Sequence, residues 1–247
     1  MLVFRELAPG GVVVLPAPPV PGPRSVAAVD DTCVVADYAG AGLARWDPAA
    51  ASWTVSHPAV FARVTAIAAD PAARVLVADA SGASRIGADG SIERIYLPLA
   101  GERCIGVAVA GDGRIAVTLN PARLLISEDE GATWMEFAGV VRPGAIAGLP
   151  TGFAVVDASG RTVEVVRADA PPVTIGAVDG LLGPIAVAPA LDGVVIADAA
   201  TNRVRRYVLV GGLTVPAEFV DGVTMPSAPA LFERVVSLAA PMPTGVL

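Results

Sequence analysis

The feature that most constrains this chain is a repeat. A short Val/Ala/Ile run ending in an acid recurs as CVVAD (ending at Asp37), VLVAD (Asp79), FAVVD (Asp157) and VVIAD (Asp198). A degenerate copy, IAVTLN, ends at Asn120, so the successive ends lie 42, 41, 37 and 41 residues apart. Upstream of each copy sits a run of small apolar residues: RSVAAV, VTAIAAD, IGVAVAGDG, GAIAGLP and GPIAVAP. Downstream sit a more polar run that often carries Arg, such as GLARWD or RVRRYVLVGG, and then a fourth run, such as SWTVSHP or IERIYLP. Each unit therefore predicts four short strands with turn residues between them.

Four-stranded units at this period predict an all-β fold, the β-propeller, whose small sheets pack radially around a central channel. The small first strand suits the innermost position. The second, most apolar strand suits burial on both faces. The third and fourth strands alternate more and are expected to be half-exposed. Five full units give blades at about 24–60, 61–100, 101–141, 142–178 and 179–222. Two strand-like pieces remain, one at each end of the chain. Residues 223–247 together with 1–20 are expected to form a sixth blade, inner pair from the C-terminus and outer pair from the N-terminus. Joining the ends in one blade would close the ring and remove its free edges. The expectation is a single domain, 1–247, with six four-stranded blades.

Apolar residues make up 54% of the chain, which raises the question of a membrane. Yet every window of about 18 residues is broken by a charge, a Gly or a Pro, so no spanning helix is expected. The N-terminal stretch MLVFRELAPGG has an acid in its apolar part and no cationic lead, and it reads poorly as a signal peptide. Net charge is −7, from 17 basic and 24 acidic residues, and every basic residue is Arg. That balance argues against general nucleic-acid binding and against docking on anionic lipid. The absence of Lys, with abundant Ala, Val, Gly and Pro, suggests a bacterial source. Cys33 and Cys104 lie in apolar runs and are expected to be buried free thiols, consistent with a cytoplasmic location.

The segment SEDEGATW lies between the third and fourth strands of the third unit. Ser127, Asp129, Gly131, Thr133 and Trp134 resemble the Asp-box, a hairpin signature of many propellers, including sialidases and BNR-repeat proteins. The residue types suit a turn: Asp accepts backbone N–H bonds, Gly supplies positive φ, and Trp buries its ring between sheets. The resemblance implies a structural role away from any active site. The calcium-loop pattern of an EF-hand is absent. A second stretch, 183–207, resembles the NHL repeat through Pro184, Ile185, Ala186, Val187, Ala197, Asp198, Asn202, Arg203 and Val204.

Asp37, Asp79, Asp157 and Asp198 end their second strands on the face where propellers usually bind ligands. A ring of carboxylates could hold a hard cation. One Asp per repeat at one position fits better with a repeated structural role, each capping its own following loop. No metal or cofactor is expected. His57 is the only histidine, so a His-based zinc site or a His–His acid/base pair is excluded, and its position at an outer strand end before Pro58 is a poor place for the base of a Ser-His-Asp triad. No nucleophile elbow, phosphate loop, C-x-x-C or H-E-x-x-H is present. One box and three scattered tyrosines, Tyr38, Tyr96 and Tyr207, do not match sialidase chemistry. A metal-dependent, lactonase-like hydrolase with a site at the channel mouth is the enzymatic alternative, but Asn120 and Asn202 are the only asparagines for it. The chain is nearly all blade with short loops, which suits a non-enzymatic scaffold or adaptor that binds another protein. Arg203 is the candidate contact. In size, fold and composition the chain is similar to the propeller component of bacterial MoxR ATPase–von Willebrand A systems.

Overall fold

The structure is a computed structural model that describes residues 3–5, 12–29, 32–40, 42–56, 60–70, 72, 74–167, 170–190, 192–201, 203–210 and 213–217. Five antiparallel four-stranded sheets follow one another along the chain. Blade one holds β3 (Pro23–Val29), β4 (Thr32–Asp37), β5 (Leu43–Asp47) and β6 (Ser52–Ser56). Blade two holds β7 (Val64–Ala69), β8 (Val75–Asp79), β9 (Gly82–Ile86) and β10 (Ile92–Tyr96). Blade three holds β11 (Arg103–Val109), β12 (Ile115–Asn120), β13 (Arg123–Ser127) and β14 (Met135–Phe137). Blade four holds β15 (Pro143–Leu149), β16 (Gly152–Asp157), β17 (Thr162–Arg167) and β18 (Val173–Ile175). Blade five holds β19 (Pro184–Ala190), β20 (Gly193–Asp198), β21 (Arg203–Val210) and β22 (Leu213–Ala217).

The blade count corrects the expectation of six. Among the described residues there are five four-stranded blades, and the two remaining strands, β1 (Val3–Arg5) and β2 (Val12–Val14), pair only with each other, Val3 opposite Val14. This two-stranded sheet is joined to no other described strand, so it completes no four-stranded blade among the described residues. The segment after β2 instead packs on blade one. Leu15 and Val20 cover Val26, Cys33, Val35, Trp46 and Trp53, and the Trp53 indole N–H donates to the Pro16 carbonyl at 3.0 Å. Residues 223–247, expected to give the inner pair, lie outside the described residues.

The first strand of every blade lines one central cavity. Small residues there are a packing requirement. A Cβ on Gly148 would overlap the Val109 carbonyl of the neighbouring inner strand. The second strands are buried almost end to end, β8 and β16 completely. The core is a series of layers between successive sheets: blades one and two meet through Val34, Leu43, Phe61 and Ile67, and blades four and five through Val163, Leu181, Ile196 and Tyr207. Third strands were expected to alternate, yet β9 is buried throughout. The reason is its neighbour. The 127–134 turn of blade three lies against it, and Arg85 donates to the Glu130 carbonyl at 3.0 Å.

Cys33 and Cys104 are free and buried, as the sequence suggested. Burial pushes both thiols up to about 12. Neither should react with an aromatic disulfide reagent at neutral pH in the folded protein, and both should react at once in denaturant. Counting released chromophore before and after denaturation checks this.

Candidate functional site

In an antiparallel blade, the loops from second to third strand and the crossovers from fourth strand to the next blade emerge at the same end. That end is the crossover face; the hairpin turns occupy the other. The four repeated Asp residues stand on the crossover face and are buried: Asp79 and Asp198 at 0%, Asp37 at 3%, Asp157 at 5%. Each does more than cap its own loop. Asp37 accepts from Ala39 N–H (3.0 Å) and Gly40 N–H (2.9 Å), and also from Gly22 N–H (2.9 Å), which precedes β3. Asp198 accepts from Ala200 N–H (3.0 Å), Thr201 N–H (3.2 Å) and Leu182 N–H (2.9 Å) of the incoming crossover. Asp157 takes Ser159 N–H (2.8 Å) and Val141 N–H (2.8 Å), and Asp79 takes Ser81 N–H (2.8 Å) and Ala62 N–H (3.2 Å). Arg94 adds a 3.1 Å ion pair to Asp79. Each carboxylate thus clamps the chain entering a blade to the loop leaving its second strand.

Blade three has Asn120 in place of the Asp, and its clamp is rebuilt from the crossover itself. Glu102 accepts from Leu99 N–H at 2.9 Å and from the Tyr96 hydroxyl at 3.3 Å, and pairs with Arg123 at 2.5 Å. Burial raises the Glu102 carboxyl, but the bonds from Arg123 and Leu99 outweigh it and leave its pKa below the usual value. At Asp157 burial is likewise outweighed, by hydrogen bonds from Ser159, Val141 and Gly160.

The Ser127–Trp134 turn lies on the hairpin side. Asp129 accepts from the Thr133 hydroxyl (2.6 Å), Thr133 N–H (2.7 Å) and the Ser127 hydroxyl (2.9 Å), which hold its pKa below the ordinary carboxylate value. Gly131 has φ +100°, and a Cβ there would press on Ile95 of blade two. The Trp134 indole N–H donates to the Ile95 carbonyl at 3.2 Å, and its ring meets Tyr96 edge-on at 5.3 Å. The turn therefore bonds two blades together.

The central cavity has a volume of about 300 Å³. Its walls are mainly Ala, Val and Ile, with Arg24, Ser25 and Thr65 among the few polar side chains. The Ser25 hydroxyl accepts from Ile67 N–H (3.1 Å), and the Thr65 hydroxyl lies 2.9 Å from the Cys104 carbonyl, so both serve the backbone. Among the described residues no three His, Cys, Asp or Glu side chains are grouped to hold a metal. Asn120 is exposed at the end of β12; His57 and Asn202 lie outside the described residues.

What local reading missed is the rest of the crossover face. Ten large hydrophobics are exposed among the described residues, and seven belong to it: Tyr38, Val60, Leu97, Leu99, Val141, Val178 and Leu182. Leu97 is 71% exposed, Val141 70% and Val178 98%. Arg24, Arg63, Arg103, Arg142 and Arg161 are exposed on the same face, with Arg203 at the start of β21. Arg24 lies over the Tyr38 ring at 4.9 Å. The signal was available: an Arg sits at or next to the start of the inner-strand run in four successive units.

The chain is similar to β-propellers of known structure. Virginiamycin B lyase from Staphylococcus aureus matches with a TM-score of 0.68 at 16% identity, over 89% of this chain and 74% of that one. Regucalcin, a calcium-binding protein from Agrobacterium tumefaciens, matches with a TM-score of 0.62 at 16% identity, over 81% and 74%. A nidogen/laminin complex gives 0.64 at 17% identity, over 78% of each chain. At such identities the likeness is one of fold. No protein-family model and no curated protein sequence matches the chain.

Removing a clamp leaves buried N–H groups without partners. Asp198→Ala should cost about 2–3 kcal/mol in urea unfolding. Because the folded-state pKa values of Asp157 and Glu102 are lowered, their contribution is fully present above about pH 4 and is lost as pH falls through the lowered values. Asp157→Asn should flatten the acid limb of a stability–pH curve.

Proposed function

We propose that the protein is a non-enzymatic interaction platform, a propeller whose crossover face docks another protein. The observation that carries this reading is the coincidence of exposed apolar and Arg side chains on one face of a clamped disc. Aromatic residues and Arg are enriched at the centres of protein interfaces, and contiguous exposed apolar surface on a soluble domain marks interaction sites. The loops are short, so the face is preorganised and little ordering entropy opposes binding. A scaffold or adaptor in a bacterial multi-protein system, of the MoxR–von Willebrand A kind, fits this picture.

The hydrolase reading has less support. Regucalcin is a calcium-binding protein of similar fold, but here the carboxylates on the crossover face are engaged by backbone N–H groups of the clamps. On the cavity wall the Ser25 hydroxyl accepts from Ile67 N–H and the Thr65 hydroxyl lies against the Cys104 carbonyl.

The test is recovery of the tagged chain from its native host. The wild type should retain a stoichiometric protein. Leu97→Asp combined with Leu99→Asp should release it, and Met135→Asp, on the outer strand of blade three, should not. A partner-free wild type, or equal retention by the double variant, would overturn the reading.

A further inference from the structure

The disc is electrostatically two-sided. Its hairpin face carries exposed acids in nearly every described turn, among them Asp47, Asp89, Asp112, Asp129, Glu130 and Asp192. Several arginines on that side are paired: Arg74 with Asp70 at 2.7 Å, Arg114 with Asp112 at 2.7 Å, and Arg206 with Asp192. The crossover face is the reverse. Its described acids are buried or half-buried and hydrogen-bonded within the clamps or, for Asp179, to Gly176 N–H, while Arg24, Arg63, Arg103 and Arg142 stand exposed at the start of four consecutive inner strands. Arg63, Arg103 and Arg142 form no ion pair or side-chain hydrogen bond with any other described residue. A chain of net charge −7 thus gathers, around one end of its channel, guanidinium groups that have no ion partner among the described residues.

The chemistry of the occupant follows from what accompanies these cations. A nucleic acid or an anionic membrane would meet the acidic remainder of the chain, and the exposed Leu and Val side chains would gain nothing against phosphates. A single small anion would need converging cations, whereas these are spread over four blades and only Arg24 lines the cavity. Carboxylates carried on a peptide with apolar neighbours match both components. We propose that the crossover face receives an acidic segment of a partner protein, its carboxylates on Arg63, Arg103 and Arg142 and its apolar side chains on Leu97, Leu99 and Val141. The proposal rests on the interaction-platform reading and specifies the partner's chemistry. Guanidinium–carboxylate pairs at the rim set orientation and association rate, and the apolar contacts supply the burial.

The probe is a fluorescein-labelled peptide of about twelve residues built from Asp and Leu, with a Lys-for-Asp counterpart, titrated by anisotropy against the full chain. The acidic peptide should bind and the basic one should not. Raising salt from about 50 to about 500 mM should weaken binding severalfold. Arg63→Gln/Arg103→Gln/Arg142→Gln should weaken it by roughly tenfold or more at an unchanged melting midpoint. Should the triple variant not fold, Arg142→Gln alone should lower affinity severalfold. Absence of binding, equal binding of the basic peptide, or indifference to the arginine substitutions overturns the proposal. So does self-association of the wild type that the triple variant abolishes, which would make the acidic hairpin face of a second copy the occupant. Failure of this inference is separable from failure of the platform reading. If the Leu97→Asp/Leu99→Asp variant loses the host partner and the arginine variant keeps it, the face stands and the acidic chemistry falls.

Discussion

A buried carboxylate must have its lone pairs filled, and in this protein that requirement ties each blade to the next. At the end of the second strand in blades one, two, four and five, an Asp receives N–H bonds from two stretches of chain at once. One is its own following loop. The other is the crossover that delivers the chain from the previous blade. A parallel backbone bond accompanies each carboxylate, as where Tyr38 N–H donates to the Gly22 carbonyl at 2.8 Å and Ala199 N–H to the Gly183 carbonyl at 2.8 Å. Leaving such groups unpaired costs more than making the bond gains, so the clamp is a strong constraint on crossover geometry. Everything proposed about the crossover face depends on it, because the clamps hold the loops that present the exposed Leu, Val and Arg side chains.

Blade three shows that the constraint is physical and not a matter of one residue type. Asn120 cannot supply a carboxylate, and a carboxylate arrives from the opposite side of the junction, on Glu102. Arg123 bridges Glu102 and Glu136, at 2.5 and 3.0 Å. The same junction is stapled at its other end. The Ser127–Trp134 turn reaches back to blade two through Trp134 and Glu130, and Arg85 is buried beneath it with a 3.4 Å pair to Glu130. Blades two and three are thus bonded at both ends of their interface, with Leu76, Val107 and Leu119 packed between.

Fixing the crossovers also separates charge. Turns at the hairpin end are short, polar and acidic, and Arg74, Arg114 and Arg206 are neutralised there by Asp70, Asp112 and Asp192. Crossovers spend their acids on the clamps and leave their arginines outward. A net negative chain therefore has a face of opposite character, and composition alone argued only about the average.

Much of this was legible from the residues. The repeat of apolar runs specified four-stranded blades, because strand periodicity and turn residues are local properties. The Asp at each second-strand end announced a loop cap for the same reason, and SEDEGATW announced its own turn. Three things were not legible. The second half of each Asp's bonding lies about sixteen residues upstream in the sequence, across the first hairpin of the blade. The count of five blades among the described residues was hidden because a strand-like run does not by itself show which sheet it joins, and β1 and β2 pair with each other outside the four-stranded sheets. The burial of β9 depends on a turn of the next blade. Local chemistry, which the sequence carries by itself, determined strands, turns and caps. Which face gathers the arginines and exposed leucines was decided only when antiparallel topology brought one residue from each of several blades to the same end of the channel.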